Sequence, residues 1–494
     1  MPGTSNRKRV IAAMVVVPAV VAGTLAVGLP LAASQSSLGG DPITGQPLVE
    51  PPVLKSRNGR LAVTIDARTS IVSIGGRKVA TWAYDAMTPG PTLEVFQGDD
   101  LQITSRNNLP AQPTNLHTHG LHVSPEKQAD NIFVDTPSGA TFTNKYDIPD
   151  DHIPGEYWYH PHRHMFSSDQ LSMGMAGTID VRADTPEERA LDRYRTRQMI
   201  IQSFRVDGGQ VVKPGQPSSA RPAMYINGQL EPVVAMRPGE IQRWRLTNVQ
   251  ANVFARVAIP TGMKAWLIST DGNPTSRPIP VSDMLIPPAG RRAVLVRAPS
   301  PGDLTVATAP WGPGIQAVPR FNLFTARVGG TPVTGSTLPV MKPSMPDLRR
   351  EAVHNSRNVE FSAGPPLPGS TAKNFMINGM NYDQWGSRNL FSMKLDTVEE
   401  WTLTNVTDEY HPFHIHIQPF QVVSVNGKPV SGVDYRDTVP IPPMENGVPG
   451  TVVIRQKFTD FTGRFVFHCH ILFHEDNGMM APVRVVRAGA GRRG

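Results

Sequence analysis

Ten of the fourteen histidines in this 494-residue chain fall in four short segments. These are His117-Thr-His119, His160-Pro-His162, His411-Pro-Phe-His414-Ile-His416, and His468-Cys469-His470 followed by His474. The only cysteine of the chain, Cys469, lies inside the last of them. A lone cysteine forms no intramolecular disulfide, so a disulfide framework is excluded. What remains is a soft thiolate, an imidazole five residues on and the thioether of Met479 ten residues on. With a second imidazole from elsewhere, that is the donor set of a blue copper centre, two His and a Cys in a trigonal plane with a long axial Met.

The four segments resemble the copper signatures of the multicopper oxidases, the family of laccases, ascorbate oxidase, ceruloplasmin-like ferroxidases and bacterial cuprous oxidases. The likeness is to the three-domain bacterial laccase-like and cuprous-oxidase-like members. It covers roughly residues 60–487 and is most specific at the run HCHILFHEDNGMM, which begins at His468. It implies four coppers per chain. Type 1 copper would be held by His411, Cys469 and His474 with Met479 axial, and type 2 by His117 and His414. The type 3 pair would be held by His119, His160, His162, His416, His468 and His470. The implied reaction takes four one-electron oxidations at type 1 and reduces O2 to water at the three-copper cluster.

The spacing agrees with strand geometry. Alternate side chains of a strand point to opposite faces, so His468 and His470 face one way and Cys469 the other. One strand then touches two metal sites. Each of the pairs His117/His119, His160/His162 and His414/His416 presents two imidazoles to one face, and His411 reaches the opposite side.

The elements that carry these residues repeat. Gly155-Glu-Tyr-Trp-Tyr-His160-Pro-His162 matches Gly463-Arg-Phe-Val-Phe-His468-Cys-His470: a glycine turn, a short aromatic strand, then His-x-His. Tyr225-Ile-Asn-Gly228 followed by Arg243-Trp-Arg-Leu-Thr-Asn248 parallels Met376-Ile-Asn-Gly379 followed by Trp401-Thr-Leu-Thr-Asn405. Asp283-Met-Leu-Ile-Pro-Pro288 echoes the run Asp437 to Pro443. Three homologous all-β units follow, at residues 60–185, 195–328 and 350–487. They are expected as Greek-key β-sandwiches, and the family resemblance makes the fold cupredoxin-like. The middle unit contains no histidine and reads as a spacer that brings the outer two together. The eight cluster histidines divide four and four between the outer units, which places their site at an interface.

Forty-eight prolines and 43 glycines between short Val/Ile/Thr/Leu runs argue for strands and turns over helices. The formal net charge of +7 is partly terminal, at Arg7, Lys8, Arg9, Arg492 and Arg493, and gives no reason to expect a nucleic-acid partner. Residues 1–35 combine that basic start with an apolar stretch from Val10 to Ala33. They read as a cleaved export signal or an N-terminal membrane anchor, so the protein is expected secreted, periplasmic or at the cell surface. Residues 36–59 read as a linker, and so do Thr185–Arg197, with a short helix, and Thr331–Pro346.

Reducing O2 to water takes four protons, and the resemblance places two acids beside the cluster as relay groups, Glu475 and Asp130. Phe473 stands where close bacterial relatives often carry another acid. His122 and His164 read as solvated or core side chains, and His152 and His354 carry no signal. Met165, Met173 and Met175 read as core filler. An axial thioether lowers the type 1 potential relative to Leu or Phe, which suits electron-rich phenols and aromatic amines. The alternative is a metallo-oxidase of Cu(I) or Fe(II), for which Asp408, Glu409 and Asp476 stand within reach of His474 by sequence. A copper-free scaffold of the same fold would lack Cys469 and several histidines. A copper nitrite reductase would lack the third unit and the full eight-histidine cluster.

Overall fold

Strand after strand buries every second side chain. Asp100–Asn108 and Gly450–Phe458 alternate buried with half-buried or exposed residues along their whole length, the pattern of a sheet with one face on a core. The computed structural model describes residues 38–342 and 345–487. The segment read as an export signal lies outside the described residues. Among those described, no helix is long and apolar enough to cross a membrane.

Among the described residues, six sheets pair into three sandwiches, each closed on its own apolar core. In the first, a five-stranded sheet runs in the order Val53–Lys55, Thr92–Phe96, Gly177–Arg182, Gly155–His160, His117–His119. It packs against a six-stranded sheet built around Arg60–Ile74. The middle sandwich packs its sheets around Trp244, Phe324 and a set of Met, Val and Ile side chains. The third sets the sheet containing Gly463–Cys469 against the one containing Thr397–Asn405, over Phe361, Trp401, Phe413 and Phe467.

The internal repeat is carried by matching turns. Asn227-Gly228 and Asn378-Gly379 all have positive φ, and they close the bridges Ile226–Gln229 and Ile377–Met380. That is the Asn-Gly preference of a tight hairpin whose two central residues are left-handed. Thr185 caps the short helix Pro186–Asp192 by accepting from Glu188 N–H, with Pro186 in the first turn.

Two segments depart from the expected division of the chain. The stretch read as a linker is laid down on the sandwiches: Pro47 bridges to Val233, and Val53–Lys55 adds a parallel edge strand to Thr92–Phe96. Its backbone groups find partners on two open sheet edges, which orders a Pro/Gly-rich run without a core of its own. Residues 206–211, in sequence part of the middle unit, form a small hairpin that pairs at Gln210 with Ala80 of the first.

Candidate metal centre

Strand pairing brings the four segments together two by two. His117–His119 runs antiparallel to Gly155–His160, with His117 opposite His160. His411–Ile415 runs antiparallel to Gly463–Cys469, with His414 opposite His468 and Phe413 opposite Cys469. Cys469 therefore faces the third sandwich's core and His468 faces away from it.

On the core side, Cys469 Sγ lies 3.5 Å from His411 Nδ1 and 3.6 Å from His474 Nδ1, and the two Nδ1 atoms are 3.2 Å apart. The far nitrogen of each ring is held: His411 Nε2 lies 2.7 Å from Thr407 Oγ1, and His474 Nε2 lies 3.2 Å from Glu409 Oε2. Such outer bonds fix ring orientation and tautomer, so both rings turn Nδ1 to the thiol. Phe375 stacks on His474 at 4.0 Å. Met479 is buried in the same apolar cluster as Cys469, whose N–H donates to the Met479 carbonyl at 3.1 Å. Met480 packs instead with Ile132 and Val466.

On the other side the eight remaining histidines, all buried, meet between the first and third sandwiches. The Nε2 atoms of His162, His416 and His468 lie 3.0–3.4 Å apart. The rings of His119, His160 and His470 form a second trio with centroids 5.0–5.9 Å apart. His117 and His414 stand 5.9 Å apart, stacked on His416 at 3.9 Å and His119 at 3.7 Å respectively. Burial lowers the pKa of His117, His119, His160, His162, His414, His416 and His470, and keeps these rings in the neutral form that ligates metal.

Both predicted acids touch this cluster. Asp130 Oδ2 accepts from His117 Nδ1 at 2.8 Å, and its Oδ1 accepts from Thr118 N–H at 2.8 Å. Burial pushes the Asp130 carboxyl up to about 7, and the Thr118 bonds pull the other way. Glu475 Oε2 lies 3.1 Å from His468 Nδ1 and its Oε1 lies 3.6 Å from His162 Nδ1.

Of the other histidines, His122 Nε2 pairs with Asp460 Oδ2 at 2.7 Å and its Nδ1 meets the Ile417 carbonyl, bonds from the first unit to the third. His152, which carried no sequence signal, is buried with both nitrogens engaged. His164 faces Asp383 at 3.3 Å. Met173 and Met175 are core, while Met165 is exposed. Asp476 departs from expectation. It is half-buried and its Oδ2 accepts from Ser168 N–H at 2.8 Å, a bond that turns this carboxylate oxygen toward the first sandwich.

Sequence reasoning missed Thr407 and the role of Asp437, which it noted only as part of a repeat. Asp437 Oδ1 accepts from His119 Nε2 at 3.1 Å, and its carbonyl accepts from His414 Nδ1 at 2.8 Å. Burial pushes its carboxyl up to about 6, against the pull of the neighbouring Arg291. The one available signal was Arg291-Arg292 opening the apolar run Ala293–Val296, a charge pair where a buried strand expects none.

The donor set fits copper on its own terms. Among the described residues, His117, His160, His414 and His470 keep a buried Nε2, and His119 a buried Nδ1, with no hydrogen-bond partner, a costly arrangement unless a ligand takes it. Burial drives the Cys469 thiol well above its ordinary pKa, so a thiolate there requires a cation beside it. Thiolate and imidazole alone would also suit zinc; two imidazoles and one thiolate with a thioether nearby are the donor set of blue copper.

Known proteins share sequence and fold with this chain. Sequence models described as multicopper oxidase match residues 66–186, 180–316 and 356–489. A multicopper oxidase of Staphylococcus aureus is 25% identical over 462 residues, covering 92% of this chain and 94% of that protein. A laccase of Bacillus subtilis is 23% identical, covering 82% and 90% respectively. The solved structure of a multicopper oxidase from Campylobacter jejuni, described as a metallo-oxidase, matches with a TM-score of 0.77. It is 26% identical and covers 92% of this chain and 97% of that one. With three cupredoxin-like Greek-key sandwiches and two facing sets of buried donors, the chain belongs to the multicopper oxidase family. It is an oxidoreductase with four coppers, type 1, type 2 and a type 3 pair, and it couples copper-dependent oxidation to reduction of O2.

Proposed function

We propose that His411, Cys469, His474 and Met479 would hold type 1 copper, and His117 and His414 type 2. His119, His160, His162, His416, His468 and His470 would hold the type 3 pair. The observation that carries this reading is the Cys469 thiol facing His411 and His474 while its neighbours His468 and His470 face the eight-histidine cluster. Copper bound there supplies one-electron redox chemistry and reduction of O2. The chain supplies the path between the two sites, a few covalent bonds from the Cys469 side chain through its backbone to either flanking imidazole. Asp130 and Glu475, each in contact with cluster histidines, are placed to hold and pass the protons that water formation consumes.

The donor side supports a laccase-like oxidase of phenols and aromatic amines. Phe473, an exposed aromatic ring 6.3 Å from the His474 ring, donates its N–H to Asn252 Oδ1 of the middle sandwich. Glu409 beside it is engaged by Lys373 at 3.0 Å as well as by His474. A metallo-oxidase reading draws on the carboxylates of Asp408 and Glu409. However, no group of three His, Cys, Asp or Glu ligands forms around them among the described residues, and Asp476 is turned inward. The export reading of residues 1–35 rests on their basic and apolar pattern alone. Steady-state rates with a phenol, an aromatic diamine, Fe(II) and Cu(I), with O2 uptake recorded in parallel, test the substrate class. The phenol and diamine should give the higher kcat/KM, and a clear preference for either metal ion overturns the reading.

A further inference from the structure

The middle sandwich has no histidine, yet it reaches the cluster. Arg291 opens the strand Arg291–Arg297 and is fully buried. Its Nη1 donates to Asp437 Oδ1 at 2.8 Å and its Nη2 to Asp437 Oδ2 at 2.7 Å. Its Nε donates to the Glu156 carbonyl at 3.1 Å, in the first sandwich. Next to it, Asp271 accepts from Arg291 N–H at 2.8 Å, from Arg292 Nη1 at 3.0 Å and from Thr438 N–H at 3.3 Å. The middle unit thus grips Asp437 by its side chain and Thr438 by its backbone. Asp437 in turn bonds one histidine from each outer unit, His119 and His414.

The geometry has room made for it. Gly120, directly after His119, has φ +86, and a Cβ there would lie 2.5 Å from Asp437 Oδ2 and 2.6 Å from Arg291 Nη2. A side chain at this position and the ion pair exclude each other.

An oxygen of this buried carboxylate lies within 4.8 Å of ligand atoms on both His119 and His414. The guanidinium fork engages both of its oxygens, in the bidentate geometry that fixes direction as well as distance. Asp437 Oδ1 thereby accepts from His119 Nε2–H, beside Thr438 Oγ1, and His119 Nδ1 has no hydrogen-bond partner among the described residues.

We propose that Arg291 is a positioning residue for the histidine cluster, acting through Asp437 to fix the tautomer and orientation of His119 and, by way of the Asp437 carbonyl, of the type 2 ligand His414. This rests on the eight-histidine cluster being the copper site, which copper content of the wild type at four per chain tests separately.

The test compares Arg291→Gln and Arg291→Lys with Arg357→Gln, which breaks a bidentate pair with Glu399 elsewhere in the third unit. Copper-loaded proteins are dialysed against a chelator, and three signals are followed: copper per chain, the electron paramagnetic resonance of type 2 copper and the blue thiolate band. Loss of an outer-shell partner typically costs about 10–100-fold in metal affinity. Arg291→Gln should therefore keep the blue band but release cluster copper at least about tenfold faster than wild type, with an altered type 2 resonance. Arg291→Lys, which keeps the charge and loses the fork, should fall between. Arg357→Gln should lower Tm without changing copper release. Release from Arg291→Gln no faster than from Arg357→Gln, with an unchanged resonance, overturns the proposal. If Arg291→Gln yields no soluble protein, wild-type release and resonance in Arg291→Lys overturn it instead.

Discussion

Met479 and Met480 are neighbours with opposite surroundings, and the difference supports the proposal of Met479 as the type 1 thioether. Met479 shares the apolar cluster of Cys469, and its backbone N–H donates to the His474 carbonyl at 2.9 Å. Met480 pairs with His468 along the ladder and packs against Ile132 of the first sandwich. A weak axial thioether stabilises the oxidised metal a little, so its removal favours the reduced form. Met479→Leu, close in volume and able to fill the same space, should raise the type 1 potential in a redox titration. Met480→Leu should leave it near the wild-type value. The reverse pattern would make Met480 the axial group.

At the scale of elements, the loop between the strands Thr141–Asp147 and Gly155–His160 carries a buried histidine whose bonds allow one protonation state. His152 Nδ1 donates to the Ile153 carbonyl at 2.9 Å, and its Nε2 accepts from His122 N–H at 3.0 Å. Burial lowers its pKa to about 3 from an ordinary 6.5. The unfolded chain takes up a proton here as pH falls below about 6.5, while the folded chain resists until about 3. Its contribution to stability is therefore complete above that upper value and is lost on acidification, with a limiting slope of roughly 1.4 kcal/mol per pH unit. His152→Gln, whose amide can make both bonds and does not titrate, should flatten the fall of stability between pH 6.5 and 4 in denaturant titrations of copper-free protein. Parallel curves for the two proteins would contradict this. The metal-binding strands were legible because a period of two sorts His468 and His470 from Cys469 without any tertiary information. His152 was not, because its worth lies in two backbone partners that only the folded loop supplies. Arg291 and Asp437 stand 146 residues apart in different sandwiches, so no local pattern links them.

Across the whole molecule, the three sandwiches differ in what they contribute more than in how they are built. The outer two supply four cluster histidines each, and the middle one supplies the arginine and aspartate that hold Asp437 and Thr438. A compositional reading made the middle unit a spacer because it has no ligands; its contribution lies in hydrogen bonds to residues that touch ligands. In the proposed mechanism the thiol-centred site and the eight-histidine cluster work as one unit, so that electrons taken singly at the first leave in fours at the second. The most direct test is the stoichiometry of turnover, with donor oxidation followed optically, O2 by electrode and hydrogen peroxide by a coupled assay. About four one-electron equivalents should be consumed per O2, with no peroxide accumulating, and Cys469→Ser should abolish turnover while keeping copper in the cluster. Accumulation of peroxide at about two equivalents per O2, or wild-type turnover in Cys469→Ser, would contradict the claim.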